Sequence, residues 1–351
     1  MTSVEKIRKN RFIAPIFNSL ESFFFGSDES VRRAPFIRDA IDLKRYMFFV
    51  IIATLPCTLA GIYLYGLRVL AVIGVSYIFG VGTEAVFAAV RRQDEIHEGA
   101  FVTCMLYALI MPPNVPLWVV AVGILFGTIF GKEVFGGTGK NIFNPAMTGR
   151  LFASLAFPDL MTKTWLLPVD GNLAGGFASW VSDAITTATP MTLFQRSGDI
   201  ISNLQLFMGY FGGCIGETVK PLIIAGGLFL MITRVANWRI PLATIISLLF
   251  TATILHAIDQ QAFAPPLFHL LGGGFLFAVM FMVSDPVTTP ASRTGKWLCG
   301  ILIGTLTVLI RTFTGYVEGI MFAVTIANMF TPLIDYIVLG IKYRVTPKGV
   351  I

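Results

Sequence analysis

Apolar runs long enough to cross a lipid bilayer recur along most of this chain, and they constrain its fold more than any other feature. A straight helix needs about 20 apolar residues to span a membrane. Candidate spans fall at roughly 46–65, 69–90, 99–112, 116–131, 143–158, 216–234, 240–258, 267–284, 296–312 and 318–340. Only 13% of the residues are charged and the mean hydropathy is +0.76, whereas soluble domains carry about 25% charged residues. The expectation is an all-α polytopic membrane protein with about ten transmembrane helices. Several runs, 99–112 above all, are too short to cross about 30 Å as one straight helix. Short segments interrupted by proline and glycine suggest broken helices around a buried site.

The basic residues orient the spans. Nine precede the first one: Lys6, Arg8, Lys9, Arg11, Arg32, Arg33, Arg38, Lys44 and Arg45. The positive-inside rule then puts the N-terminus in the cytoplasm. Arg91, Arg92, Lys132 and Lys140 fall on the same side, as do Arg234, Arg239, Arg293, Lys296, Lys342 and Arg344. The loop 159–200 falls on the opposite side with four acids and two bases, and Arg311 is the one exception. Gly99, Phe101, Pro112 and Pro116 recur at the spacing of Gly273, Phe275, Pro286 and Pro290, and the segment 141–145 parallels 328–332. Halves of five spans each must be inverted relative to one another. The expected organisation is a cytoplasmic arm 1–45, a first transmembrane repeat 46–158, a periplasmic loop 159–215, a second repeat 216–340 and a cytoplasmic tail 341–351. A net charge of +6 concentrated this way is a membrane-topology signal and not a nucleic-acid one. Cys57, Cys104, Cys214 and Cys299 are far apart, and His97, His256 and His269 lack ligand spacing. Disulfide, iron–sulfur and haem chemistry are therefore not expected.

Three groups of residues could carry chemistry. Gly131–Asn141 is glycine-rich without Walker spacing, and glycines let backbone approach a flat ring closely. Asn141 and Asn144 would share a helical face, and their amides offer donors and acceptors to a ring edge. They read equally well as caps in a tight loop. Glu84, Glu217, Asp285 and Asp335 lie in or at the ends of apolar spans. Carboxylates there mark ion paths or paired structural sites, and hard oxygen ligands suit sodium. The turn Gly212–Thr218 offers backbone NH groups to an anion or simply permits close helix packing.

The segment Asp183-Ala184-Ile185-Thr186-Thr187-Ala188-Thr189 resembles the pattern Asp-x-x-Ser/Thr-Gly-Ala-Thr, whose last threonine carries FMN through a phosphoester. Residues 131–146, Asp42–Arg45, His97–Gly99, Ser284–Val287, Thr294–Trp297 and Pro332–Tyr336 look like signatures of NqrB, a membrane subunit of the sodium-translocating NADH:quinone oxidoreductases. The resemblance covers about residues 36–340. It implies two inverted five-helix repeats in the bacterial inner membrane, covalent FMN on the periplasmic Thr189 and a non-covalent riboflavin. It further implies NADH-derived electrons passing to ubiquinone with sodium export, alongside NqrA, NqrC, NqrD, NqrE and NqrF as partners. Asp183, Thr186 and Ala188 match the flavin-attachment motif. Asn141 and Asn144 match asparagines near riboflavin. Gly80 and Glu84 match the quinone region, and Glu217, Asp285 and Asp335 match acids of the sodium path. Thr187 stands where the family usually has glycine. The chain length is closer to the sister subunit RnfD of the ferredoxin:NAD oxidoreductases. A flavin-free, urea-transporter-like channel is the reading from another class.

Overall fold

The computed structural model describes residues 13–17, 43–93, 95–168, 175–180, 189–198, 200–314, 316 and 318–343, and their regular structure is helical. Helices α1 (Leu43–Tyr65), α2 (Arg68–Arg91), α3 (Gly99–Leu109), α4 (Leu117–Gly131) and α5 (Pro145–Ala156) come first. The short helices α6 (Pro158–Thr162), α7 (Pro190–Ser197) and α8 (Asn203–Met208) follow. The rest are α9 (Lys220–Ile232), α10 (Arg239–Ile258), α11 (Pro266–Leu271), α12 (Phe275–Phe281), α13 (Arg293–Phe313) and α14 (Gly319–Lys342). Six helices among the described residues are long and apolar enough to cross a membrane: α1, α2, α4 with its following turn, α10, α13 and α14.

The remaining expected spans are shorter, for a physical reason. Every residue of α3 and of α12 is buried. At 1.5 Å per residue they reach about 16 Å and 10 Å, well short of a 30 Å hydrocarbon core. The run 267–284 is two helices, α11 and α12, broken at Gly272–Gly274. Gly273 takes φ +62° there, which a side chain disfavours. An ideal Cβ on Gly274 would stand 2.5 Å from Glu217 Oε2.

Broken helices expose carbonyls that lipid cannot satisfy. Buried cations satisfy them here. Arg311 donates to His269 O (2.6 Å) and Gly272 O (3.0 Å) at the end of α11. Lys220 Nζ donates to Gly273 O at 2.9 Å. At the end of α3, Arg150 donates to Ile110 O, and the Gly216 and Ile215 amides donate to Leu109 O (2.7 Å) and Met111 O (3.2 Å). Positive groups at helix C-termini are also favoured by the helix dipole. Arg311 is thus the orientation exception because it is a buried structural cation and not a loop residue.

Long helices pack around this centre. α13 lies against α10 and α14, and α4 lies against α2 and α5. The α10–α13 approach needs small residues: an ideal Cβ on Gly300 would stand 2.6 Å from Ala243 Cβ.

Candidate functional site

Two cavities hold four of the sequence-selected residues: Asn141, Asn144 and Asp285 line one, and Thr189 lines the other. The first lies between the beginnings of α1 and α3, the end of α9, the glycine-rich loop and the segment after α12. It encloses about 710 Å³ of space, part of it open to solvent. Met47, Val50, Leu106, Leu230 and Phe281 form an apolar wall. Lys132, Thr138, Asn141, Asn144, Ser284 and Asp285 form the polar one.

The local chain explains these placements. Asn144 caps α5, its Oδ1 accepting from Ala146 N (3.1 Å) and Met147 N (3.3 Å), with Pro145 in the favoured first position. Its Nδ2 makes no hydrogen bond among the described residues. Asn141 Oδ1 accepts from Gly139 N (3.3 Å) and its Nδ2 donates to Phe143 O (3.0 Å), which folds the loop back on itself. The capping reading is therefore realised, and both side chains still line the cavity. Thr138 Oγ1 is buried without a hydrogen-bond partner. Asp285 accepts from Val287 N (3.1 Å) and Thr288 Oγ1 (3.2 Å).

Lys132, read from sequence only as a topology marker, is buried. Its Nζ stands 2.5 Å from Glu84 Oε1, with side chains 3% and 5% exposed. Beside it Arg91 pairs with Glu133 at 2.6 Å. Gly80 lies one turn before Glu84 on α2, where any Cβ would collide with Cys104 Sγ of α3. Lys132 thus joins the Gly80–Glu84 face to the cavity that holds the asparagines.

The second cavity, of about 680 Å³ and partly open, carries Thr189. Asp183, Thr186 and Ala188 lie outside the described residues. Thr189 caps α7, its Oγ1 accepting from Thr192 N at 3.4 Å and standing 2.8 Å from Thr192 Oγ1. Attachment of a phosphoester needs an accessible hydroxyl, and Thr189 is only 4% exposed. Pro190 starts α7 at once, and Met191 packs with Leu206, Phe211 and Phe268, which draws the segment onto the helical body. Trp165, Tyr316, Phe322 and Met321 line the apolar side of this cavity, with Arg150 and Glu318 beside them.

Arg150 and Glu318 belong to a buried charge cluster that sequence reasoning missed, apart from Glu217. Arg150 Nη2 is 3.8 Å from Glu318 Oε2. Glu217 Oε1 accepts from Cys214 N at 2.8 Å. Glu217 Oε2 and Glu318 Oε1 have no hydrogen-bond partner among the described residues. Lys220 and Arg311 complete the group through the carbonyls of the α11–α12 break. The available signal was a basic residue inside an apolar run, as at Arg150. Glu217 shares no hydrogen bond or ion pair with Asp285 or Asp335 among the described residues.

Asp335, on α14, takes the start of α13 as its partner. It accepts from Ala291 N (2.7 Å), Ser292 N (3.1 Å) and Ser292 Oγ (2.6 Å), and Ser292 is the cap of α13. Hydrogen bonds to charged groups contribute about 1.5–3 kcal/mol each. Asp335→Ala is expected to lower the unfolding temperature in detergent, and Asp335→Asn to recover part of the loss. Equal stability of wild type and Asp335→Ala would show that the latch contributes nothing.

The family model for the NQR2, RnfD, RnfE family matches residues 30–344. The B subunit of the Na(+)-translocating NADH-quinone reductase of Ectopseudomonas mendocina (strain ymp) is 35% identical, covering 94% of this chain and 93% of that protein. Its namesake from Pseudomonas aeruginosa PAO1 is 35% identical over 95% and 94% of the two chains. That from Klebsiella pneumoniae MGH 78578 is 34% identical over 94% and 93%. The chain belongs to the NQR2, RnfD, RnfE family and is a multi-pass membrane protein of that bacterial group.

Proposed function

We propose that this member of the family is the membrane electron-transfer subunit of a sodium-pumping NADH:ubiquinone reductase. In this reading Thr189 carries FMN covalently and the cavity beside Asn141 and Asn144 holds riboflavin. The observation that carries it is the meeting of both asparagines in one cavity, with Thr189 lining another. The fit is chemical as well as spatial. Thr138, whose buried Oγ1 has no hydrogen-bond partner among the described residues, and Asn144 line the first cavity and suit the polar edge of an isoalloxazine, while the apolar wall suits its benzenoid end. The rings Trp165, Tyr316 and Phe322 offer stacking faces at the second. A bound flavin supplies the ability to accept and pass on single electrons. The chain's residues orient the rings, keep water from them and fix the charge around them.

The same reading assigns Gly80 and Glu84 to the quinone region, with the Lys132 pair as its link to the riboflavin cavity. Glu217, Asp285 and Asp335 are proposed for the sodium path, Asp335 through the 291–292 backbone that it holds. The arm 1–45 is proposed to face the cytoplasm and the loop 159–215 the periplasm, with NqrA, NqrC, NqrD, NqrE and NqrF as partners. The inverted repeat is supported by two matching sets: short buried α3 packs on α1 and α2, and short buried α12 packs on α9 and α10.

Protein purified from membranes is expected to release riboflavin on acid precipitation and to keep a second flavin on the chain. A colourless preparation would sink the reading and leave the flavin-free channel. Co-purification with an NADH-oxidising subunit, and not with a ferredoxin-oxidising one, separates it from the RnfD reading.

A further inference from the structure

Arg150, Lys220 and Arg311 are each no more than 2% exposed, and Glu217 and Glu318 are 1% and 9% exposed. With all five ionised, this group carries one positive charge in excess. Uncompensated charge inside a membrane is expensive and marks function. Lys220 is spent on the Glu217 and Gly273 carbonyls, and Arg311 on those of His269 and Gly272 at the α11–α12 break. Arg150 differs in that it lines the Thr189 cavity. Its Nε, like that of Arg311, is buried without a hydrogen-bond partner among the described residues. Its Nη1 is engaged by Ile110 O and, at 2.9 Å, by Cys214 Sγ. Its Nη2 faces Glu318, which lines the same cavity.

We propose that Arg150 is a positioning residue that sets the redox potential of the flavin on Thr189, holding the excess positive charge against the negative charge that reduction creates, with Glu318 as the opposing setting. This rests on Thr189 being the attachment site. The step is balanced simply. One electron, supplied by dithionite in a titration, enters the ring system, and no proton is taken up. The guanidinium beside the cavity stabilises the resulting anion, and the Glu318 carboxylate destabilises it. Charges on buried side chains such as Arg150 and Glu318 are held in place and weakly screened, so they act strongly.

The pair makes a test with opposite signs. In detergent-purified protein the potential of the covalent flavin is read by spectroelectrochemistry, after in-gel fluorescence confirms that it is attached. Arg150→Gln is expected to weaken electron affinity about tenfold, a fall of about 59 mV for a one-electron couple. Glu318→Gln is expected to raise it by a similar factor. Arg150→Lys should keep most of the wild-type value, and Lys220→Met, whose partners are carbonyls outside the cavity, should move it less. Cys214→Ser should leave it unchanged. A purely structural Arg150 would give loss of flavin or of fold in Arg150→Gln and no upward shift in Glu318→Gln, which overturns the proposal. So does a Cys214→Ser shift as large as that of Glu318→Gln, which would make the thiolate the counter-charge. If the wild type carries no in-gel fluorescence, the attachment reading itself fails. If fluorescence is present and the two shifts are not opposed, only the role of Arg150 fails.

Discussion

Thr189→Val is expected to abolish covalent flavin completely, with denaturing-gel fluorescence present in wild type and absent in the variant. A phosphoester needs the Oγ1 oxygen, and valine keeps the shape while removing it. The change also removes a helix cap, which costs about 1 kcal/mol. The Thr189 Oγ1 to Thr192 N contact is long at 3.4 Å, so the folding cost should sit at or below that figure. Thr189→Ser keeps both the oxygen and the cap and should fold as the wild type does. Esterification would take the Thr189 hydroxyl proton, leaving Thr192 to donate across their 2.8 Å contact. Because Thr189 is almost fully covered, attachment there would have to precede the settling of α7 or proceed through the mouth of the cavity. Retained in-gel fluorescence in Thr189→Val would move the flavin elsewhere, and peptide mass spectrometry would then examine Thr186 and Thr187.

The helical membrane architecture was legible because hydrophobic length is a one-dimensional property. The long runs around 46–65, 69–90, 240–258, 296–312 and 318–340 each became a helix of at least 20 residues. The short run 99–112 became the 11-residue α3, wholly buried, as its length requires. The run 267–284 misled because hydropathy does not register where a helix breaks. Its three successive glycines were visible, but the carbonyls they free and the arginine and lysine that satisfy them come from distant segments. Asn141, Asn144 and Asp285 could be picked by residue type, yet only the fold shows that they line one cavity. Arg150 and Glu318 lie 168 positions apart in sequence, and no local pattern predicts their pairing. Lys132 was misread for a related reason. Counting basic residues for topology assumes that they face water, and the 2.5 Å contact with Glu84 takes this one out of it.

That contact carries the second large effect. Removing one partner of a buried ion pair leaves an uncompensated charge and destabilises by about 3–5 kcal/mol. Lys132→Met strands Glu84, and Glu84→Gln strands Lys132, so each single variant is expected to lose stability on that scale. The double variant replaces both charges. It should return close to wild-type stability, because a matched neutral pair is often as stable as the ion pair it replaces. Chemical-denaturant or thermal unfolding in detergent measures this. Full additivity of the two single losses would show that the side chains do not interact. Function should divide differently from stability. Lys132 lines the cavity assigned to riboflavin, and Glu84 lies behind it on α2. If the pair links the riboflavin cavity to the quinone region, the double variant will keep covalent flavin and fold yet fail to recover quinone reduction. Recovery of both stability and quinone reduction in the double variant would make the pair a packing device alone.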